Sequence, residues 1–160
     1  MSEALYLRDG GAFLPTDYTT SPWSSDHCHG GPPAALLARA VQEIAGADLH
    51  LARITVEMLG PIPKHPVVAT AGVVRPGKKV RLASAELATT AGDVLLRATA
   101  WLIRERDPMS LPAVATSGPE PPPPPSQLPP DPFGAHRYRH YYADAQERRV
   151  IAGAFATPGP

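Results

Sequence analysis

Apolar positions change their rhythm along the chain, and each rhythm predicts its own element. Between Ala4 and Leu14, ALYLRDGGAFL, two short apolar groups flank Asp9-Gly10-Gly11, the chemistry of a tight hairpin turn. Two short strands, or one bent strand, are expected there. From Pro32 to Ile44 the residues Leu36, Leu37, Ala40, Val41 and Ile44 recur at helical spacing, while Arg39, Gln42 and Glu43 share the opposite side. Gly30-Gly31 followed by Pro32 marks the start of this helix, because a proline in the first turn gives up an amide hydrogen that had no intrahelical partner. Gly46 marks its end. Four strand segments follow without another helix. Ala52, Ile54, Val56 and Met58 alternate with Arg53, Thr55 and Glu57; residues 67–75 are a β-branched run; residues 79–89 and 94–104 are two more. In the last of these Val94, Leu96, Ala98, Ala100 and Leu102 make one continuously apolar face.

The connections between these strands, Gly60-Pro61-Ile62-Pro63, then Pro76-Gly77, then Ala91-Gly92-Asp93, are short enough to suit antiparallel hairpins. A parallel crossover needs a dozen residues or more. One helix accompanied by antiparallel strands is buried when the sheet curls round it, and Ala34, Ala35, Ala38 and Ala40 would let a sheet approach closely on several sides. Strand, helix and then a four-strand meander is the order of the hot-dog fold, an α+β architecture.

Composition changes the picture after Arg106. Of the 21 prolines, 11 fall within residues 107–135, including the run Pro121 to Pro125, which favours an extended polyproline II spacer. Only 25 residues follow, from His136 to Pro160, too few to fold alone. The tail is expected either to pack back on the first domain or to begin a second one. The organisation read here is a domain over 1–106, a linker over 107–135, and a connector with a possible first strand of an absent second domain over 136–160.

Charge narrows the function. The 15 Lys and Arg balance the 15 Asp and Glu without a basic stripe, so nucleic acid is not an expected partner. The single cysteine, Cys28, excludes an internal disulfide framework and favours a reducing compartment. The start of the chain lacks a basic and then hydrophobic leader, and no window approaches 18 apolar residues. A cytoplasmic protein with no membrane partner is expected.

Four segments, FLPTDYTTSPWSSDHCHGGPPAALLARAVQE, HLARITVEMLGPIP, VVRPGKKVRLASAEL and LLRATAWLIR, resemble in that order the amino-terminal hot dog of the acyl-CoA thioesterase II (TesB-like) family, over about residues 10 to 106. The resemblance implies two hot dogs in one chain, paired as a pseudo-dimer through a continuous sheet, with the acyl-CoA cleft between their helices. It implies hydrolysis of fatty or related acyl-CoA thioesters, with coenzyme A present as part of the substrate and with no metal or redox cofactor. The Asp, Gln and Ser or Thr that hold and activate water in that family belong to its second half, and the tail here looks like the connection towards such a half. This chain is therefore expected to supply only the amino-terminal half of the cleft, and to pair with a second copy of itself or with another hot dog.

Thioester hydrolysis needs a polarised carbonyl and a water activated by a base. Gly30 and Gly31, at the amino end of the helix, are candidates to point amides at the thioester oxygen, a reading that rests mostly on the resemblance; Gly-Gly-Pro is also a common helix start. Asp26-His27-Cys28-His29 is the densest chemistry in the chain. Asp26 or His29 is a candidate base, Cys28 a candidate nucleophile, and Asp26, His27 and His29 a candidate metal set; the plainer reading is a loop that caps the helix and lines the cleft. Trp23 either walls an acyl tunnel or locks its loop onto the core. Arg75, Lys78, Lys79 and Arg81, about the Pro76-Gly77 turn, either meet the phosphates of coenzyme A or protect a solvated edge. His136, Arg137, Tyr138, Arg139, His140, Tyr141 and Tyr142 read as an interdomain connector rather than a stacking platform for nucleic acid. Three function classes follow: a thioester hydrolase, a non-catalytic hot dog for thioester binding or assembly, and, more weakly, a dehydratase-type hot dog.

Overall fold

The structure, a computed structural model, describes residues 4–106, 118, 120–130 and 141–153, with the side chains of Tyr141 and Ala143 outside the described set. Strands β1 (Tyr6–Asp9) and β2 (Ala12–Pro15) form the expected hairpin. Gly10 turns it at φ 55°, a left-handed conformation that glycine adopts without strain. Helix α1 spans Gly31–Ala45. Strands β3 (Leu49–Met58), β4 (Val67–Arg75), β5 (Val80–Thr89) and β6 (Val94–Arg104) complete one antiparallel sheet.

The order of strands in that sheet is β1-β2-β4-β5-β6-β3. The expected four-strand meander is thus reduced to β4-β5-β6, and β3 pairs with β6 at the far edge, from Leu49 opposite Arg104 to Met58 opposite Leu96. The connection through Gly60-Pro61-Ile62-Pro63 is a crossing from one side of the sheet to the other, not a hairpin. Three prolines, Pro61, Pro63 and Pro66, remove the ladder donors that a tight β3-β4 hairpin would require. Ile62 within this crossing is buried and anchors it to the core.

The core lies between one stripe of α1 and the concave face of the sheet. Leu36, Leu37, Val41 and Ala45 meet Ala83, Ala85 and Leu87 of β5 and Leu96, Ala98, Ala100 and Leu102 of β6, with Phe13, Leu49, Ile62 and Val67 closing the ends. The anticipated apolar face of β6 is the face that is buried. Each fully buried leucine contributes about 2–3 kcal/mol of transfer free energy, and small alanines on β5 and β6 let the helix approach. The helix is not wrapped on several sides, however. Ala35, Arg39, Gln42 and Glu43 are exposed, because the sheet curves over a single stripe.

Gly46 ends α1 at φ 75°, and Arg81 of β5 donates from Nη1 to the Ala45 carbonyl at 3.3 Å and from Nε to the Gly77 carbonyl at 3.0 Å. A cation is thereby placed at the negative end of the helix. Gln42, expected to face solvent, instead clamps the edge strand: its Nε2 donates to the Leu49 carbonyl at 3.1 Å and its Oε1 accepts from the Leu51 N–H at 3.0 Å. Beside this clamp β3 carries a register shift between Leu51 and Arg53.

Of the proline-rich stretch, residues 120–130 are described; they are almost all exposed and contain one 3-10 turn, Pro125–Gln127. Of the tail, α2 (Tyr141–Asp144) is a single helical turn, and Arg149 makes an isolated antiparallel bridge to Pro130. The α2 turn packs back against the 3-10 turn Asp17–Thr19. Residues 107–117, 131–140 and 154–160, on which much of the linker, the His136 to His140 cluster and part of the anticipated further strand fall, lie outside the described set.

Candidate functional site

The loop from Thr16 to Gly30 delivers the densest chemistry of the sequence to the amino end of α1. It is pinned twice: Thr20 bridges to Cys28, and His27 bridges to Pro63 of the β3-β4 crossing. Backbone bonds from Cys28 N–H to the Ile62 carbonyl at 2.7 Å, from His29 N–H to the Thr19 carbonyl at 2.7 Å, and from Lys64 N–H to the Asp26 carbonyl at 3.0 Å hold the segment between its neighbours. Lys64 reinforces it, donating from Nζ to Asp17 Oδ1 at 2.8 Å and to Thr20 Oγ1 at 2.9 Å.

Cys28 points inward from this loop. Its thiol is buried and donates to Thr19 Oγ1 at 3.4 Å. Burial pushes the thiol pKa up, and its polar contact with Thr19 together with the charge of Lys64 offsets this only in part. A thiol held protonated in this way is a poor nucleophile, and the nucleophile reading of Cys28 has no support in its surroundings. The Tyr6 hydroxyl is buried with no hydrogen-bond partner among the described residues, and burial raises its pKa well above the ordinary value.

At the helix start, sequence and geometry limit which amides are available. Pro32 and Pro33 occupy the first turn and are buried, so the helix loses two of its four unpaired donors there. The Ala34 N–H is taken by the Gly30 carbonyl at 3.3 Å. The remaining donors are the N–H groups of Gly30 and Gly31. That of Gly31 donates to His29 Nδ1 at 3.1 Å, whereas that of Gly30 has no hydrogen bond among the described residues. Both glycines are closely covered. A Cβ at Gly30 would stand 2.6 Å from Cε of Met58, and one at Gly31 would stand 2.5 Å from the hydroxyl oxygen of Tyr142.

His29 sits between two aromatic rings. Trp23 stacks on it at 5.8 Å between centroids and 14° between planes, and Tyr142 at 4.5 Å and 23°. Burial lowers the His29 pKa, and the Gly31 N–H requires Nδ1 as acceptor, so the neutral ring carries its proton on Nε2. With that lone pair engaged, His29 is an orienting group for the helix end in this arrangement, not a free base.

The other anticipated residues separate. Trp23 does not lock the loop onto the core: it is 82% exposed, because the Ser21-to-Asp26 bend projects it outward over His29. The Asp26 carboxylate is exposed and accepts from Ser25 Oγ at 3.3 Å, while His27 is half-buried with Nδ1 2.9 Å from Ser24 Oγ. Among the described residues no three His, Cys, Asp or Glu side chains converge as a metal set. Arg75, Lys78 and Lys79 flank the turn that Arg81 ties to the Ala45 carbonyl, at the opposite end of α1, a helix about 22 Å long at 1.5 Å per residue over its 15 residues. There an open groove of about 540 Å³ is lined by Val73, Pro76, Gly77, Lys78 and Arg81.

Sequence reasoning missed Met58 and Tyr142 as covers of the two glycines. Met58 was legible only as one member of an alternating strand, and Tyr142 only as one aromatic in a connector; neither pattern reports a contact that tertiary packing creates.

The profile of a protein family described as the acyl-CoA thioesterase N-terminal domain matches residues 19–103, more than half of the chain. The chain belongs to that family. Its hot-dog fold is shared with solved structures at low identity: the phenylacetic acid degradation protein PaaI of E. coli (TM-score 0.54, 19% identity, covering 59% of this chain and 70% of that one) and a Bacillus halodurans protein solved with CoA (0.53, 18%, 57% and 68%). A hypothetical thioesterase of Streptococcus pneumoniae solved with coenzyme A is a third (0.53, 13%, 59% and 79%). At these identities the likeness is one of fold. No curated protein matches in sequence. Among the described residues no helix is long and apolar enough to cross a membrane.

Proposed function

We propose that this protein takes part in the hydrolysis of acyl-CoA thioesters, in the manner of the TesB-like thioesterases its sequence resembles, and that this domain supplies the carbonyl-polarising half of the cleft. The observation that carries the reading is the Gly30 N–H at the amino end of α1, which has no hydrogen bond among the described residues, in a domain whose family match includes that helix. In the reaction, water adds to the thioester carbonyl carbon and the charge that develops on oxygen is met by the Gly30 amide, with the helix dipole behind it. The carbon–sulfur bond then breaks, giving a carboxylic acid and the free thiol of coenzyme A, with the proton of water transferred to sulfur. In this reading neither Asp26, whose carboxylate is exposed and accepts from Ser25, nor His29, whose Nδ1 lone pair is engaged by Gly31, takes that proton. The water-activating groups are assigned to a paired hot dog, either a second copy or a second domain.

A second reading, a non-catalytic hot dog that binds thioesters or assembles with a partner, is favoured by one observation: the His29 lone pair is occupied by Gly31. Both readings are tested by measuring binding of a medium-chain acyl-CoA to the 160-residue chain and thiol release from it, alongside Asp26→Asn and His29→Ala. Binding with turnover near background in all three is expected. Robust turnover lost in either variant would move the base into the Asp26-to-His29 loop, and the absence of binding would remove the thioester reading.

A further inference from the structure

We propose that Tyr142 controls access to the amino end of α1, closing it in this structure and opening it when an acyl thioester binds. The inference rests on the reading of Gly30 and Gly31 as the place where the thioester carbonyl docks. Tyr142 comes from a single helical turn distant in sequence, yet three observations tie it to this point. Its ring stacks on His29 at 4.5 Å. Its hydroxyl, Cζ and Cε1 stand 2.5, 2.8 and 3.0 Å from where a Gly31 Cβ would be, so the phenol covers the outer face of the first helical residue. The turn that carries it rests on the 3-10 turn Asp17–Thr19, whose Thr19 carbonyl in turn holds the His29 N–H.

These contacts act in one direction. The ring presses His29 into the position from which Nδ1 accepts the Gly31 N–H, so the same contact shields the glycine and occupies its amide. α2 is one turn long, and among the described residues what holds it is the stack of Tyr142 on His29 and its packing on the 3-10 turn. Such a contact opens at small cost, which is the property expected of an element that yields to a ligand. When the ring leaves, His29 is released to turn, and the amides of Gly31 and Gly30 face the same space. A site that is open only a few per cent of the time binds its ligand correspondingly more weakly than a permanently open one.

The test uses the full chain with decanoyl-CoA as probe, and Tyr142→Ala beside Tyr142→Phe. Tyr142→Ala is expected to tighten binding about tenfold or more, while Tyr142→Phe, which keeps the stacked ring, stays near the parent value. A second measurement is independent of ligand. Gly31→Ala is expected to lower Tm in the parent, where its Cβ meets the phenol, and to lower it much less in the Tyr142→Ala background. Unchanged or weaker binding in Tyr142→Ala, or no difference between the two backgrounds, would overturn the access role alone. A failure of every variant to bind decanoyl-CoA, with the thermal coupling intact, would instead sink the thioester reading and the access role with it.

Discussion

The backbone N–H of Gly31 donates to Nδ1 of His29 at 3.1 Å, so a side chain two residues earlier satisfies the first amide of the helix. In the usual arrangement a cap is a hydroxyl or carboxylate at the residue before the helix. Here that residue is Gly30, which has no side chain to offer, and the imidazole of His29 reaches past it. The substitution has a chemical consequence, because an imidazole accepts only while neutral.

His29 is therefore expected to titrate below its ordinary value of 6.5, in the direction that burial imposes. A depressed histidine pKa means that the unfolded chain binds the proton first. The contribution of this group to stability is then fully present above pH 6.5 and is lost as pH falls through the lower native value. Nitrogen-15 NMR of the ring, assigned against His29→Gln, checks both the midpoint and the tautomer. A midpoint above 6.5, or a neutral ring with its proton on Nδ1, would show that the Gly31 bond does not form in solution.

Cys28 is expected to resist thiol reagents in the native protein and to react freely once unfolded, since its thiol is buried and kept protonated. Lys64 guards the same loop through Asp17 and Thr20. Because the Asp17 side chain is 82% exposed, the ion pair itself contributes little. Lys64→Met is expected to cost about 1 kcal/mol, mainly through the lost hydrogen bonds, and to speed Cys28 labelling below the unfolding transition. Immediate stoichiometric labelling of the untouched native chain would contradict the burial of Cys28.

Strand β3 forms one edge of the sheet, and the Gln42 clamp covers only its first residues, at Leu49 and Leu51. Beyond the clamp the edge runs to Met58 and Leu59, each 54% exposed. A strand edge that no other strand covers among the described residues is a template for pairing with another sheet. The average mass in sedimentation equilibrium is accordingly expected to rise with concentration towards that of a pair. A constant monomer mass over a wide concentration range would mean that the edge stays unpaired.

Much of the fold was legible because local periodicity reports it directly. The hairpin at Gly10, the single helix between Gly30 and Gly46, and the strand segments ahead of Arg106 all appear close to where the pattern put them. The sheet order was less legible. Short proline-rich connections read alike whether a chain turns back beside its neighbour or crosses the sheet, and the pairing of β3 with β6 depends on contacts 38 to 55 residues apart along the chain. Trp23 shows the same limit at the level of one residue: a large aromatic in a loop carries no sign of which way its backbone bends.

Sequence by itself determined that a helix begins at Gly30-Gly31-Pro32-Pro33 with only two amides left to offer, because proline lacks the hydrogen wherever it is placed. It also determined that Asp26, His27, Cys28 and His29 would arrive together just ahead of those amides. Only the tertiary structure decided how they divide. Cys28 turns into the core beneath Thr19, Asp26 stays in solvent, and His29 folds back onto Gly31 under Tyr142. The physical reason is that a side chain's protonation and reach are set by its burial and its partners, and these come from the Ile62–Lys64 crossing and the α2 turn, segments remote in the chain that only packing brings to the helix end.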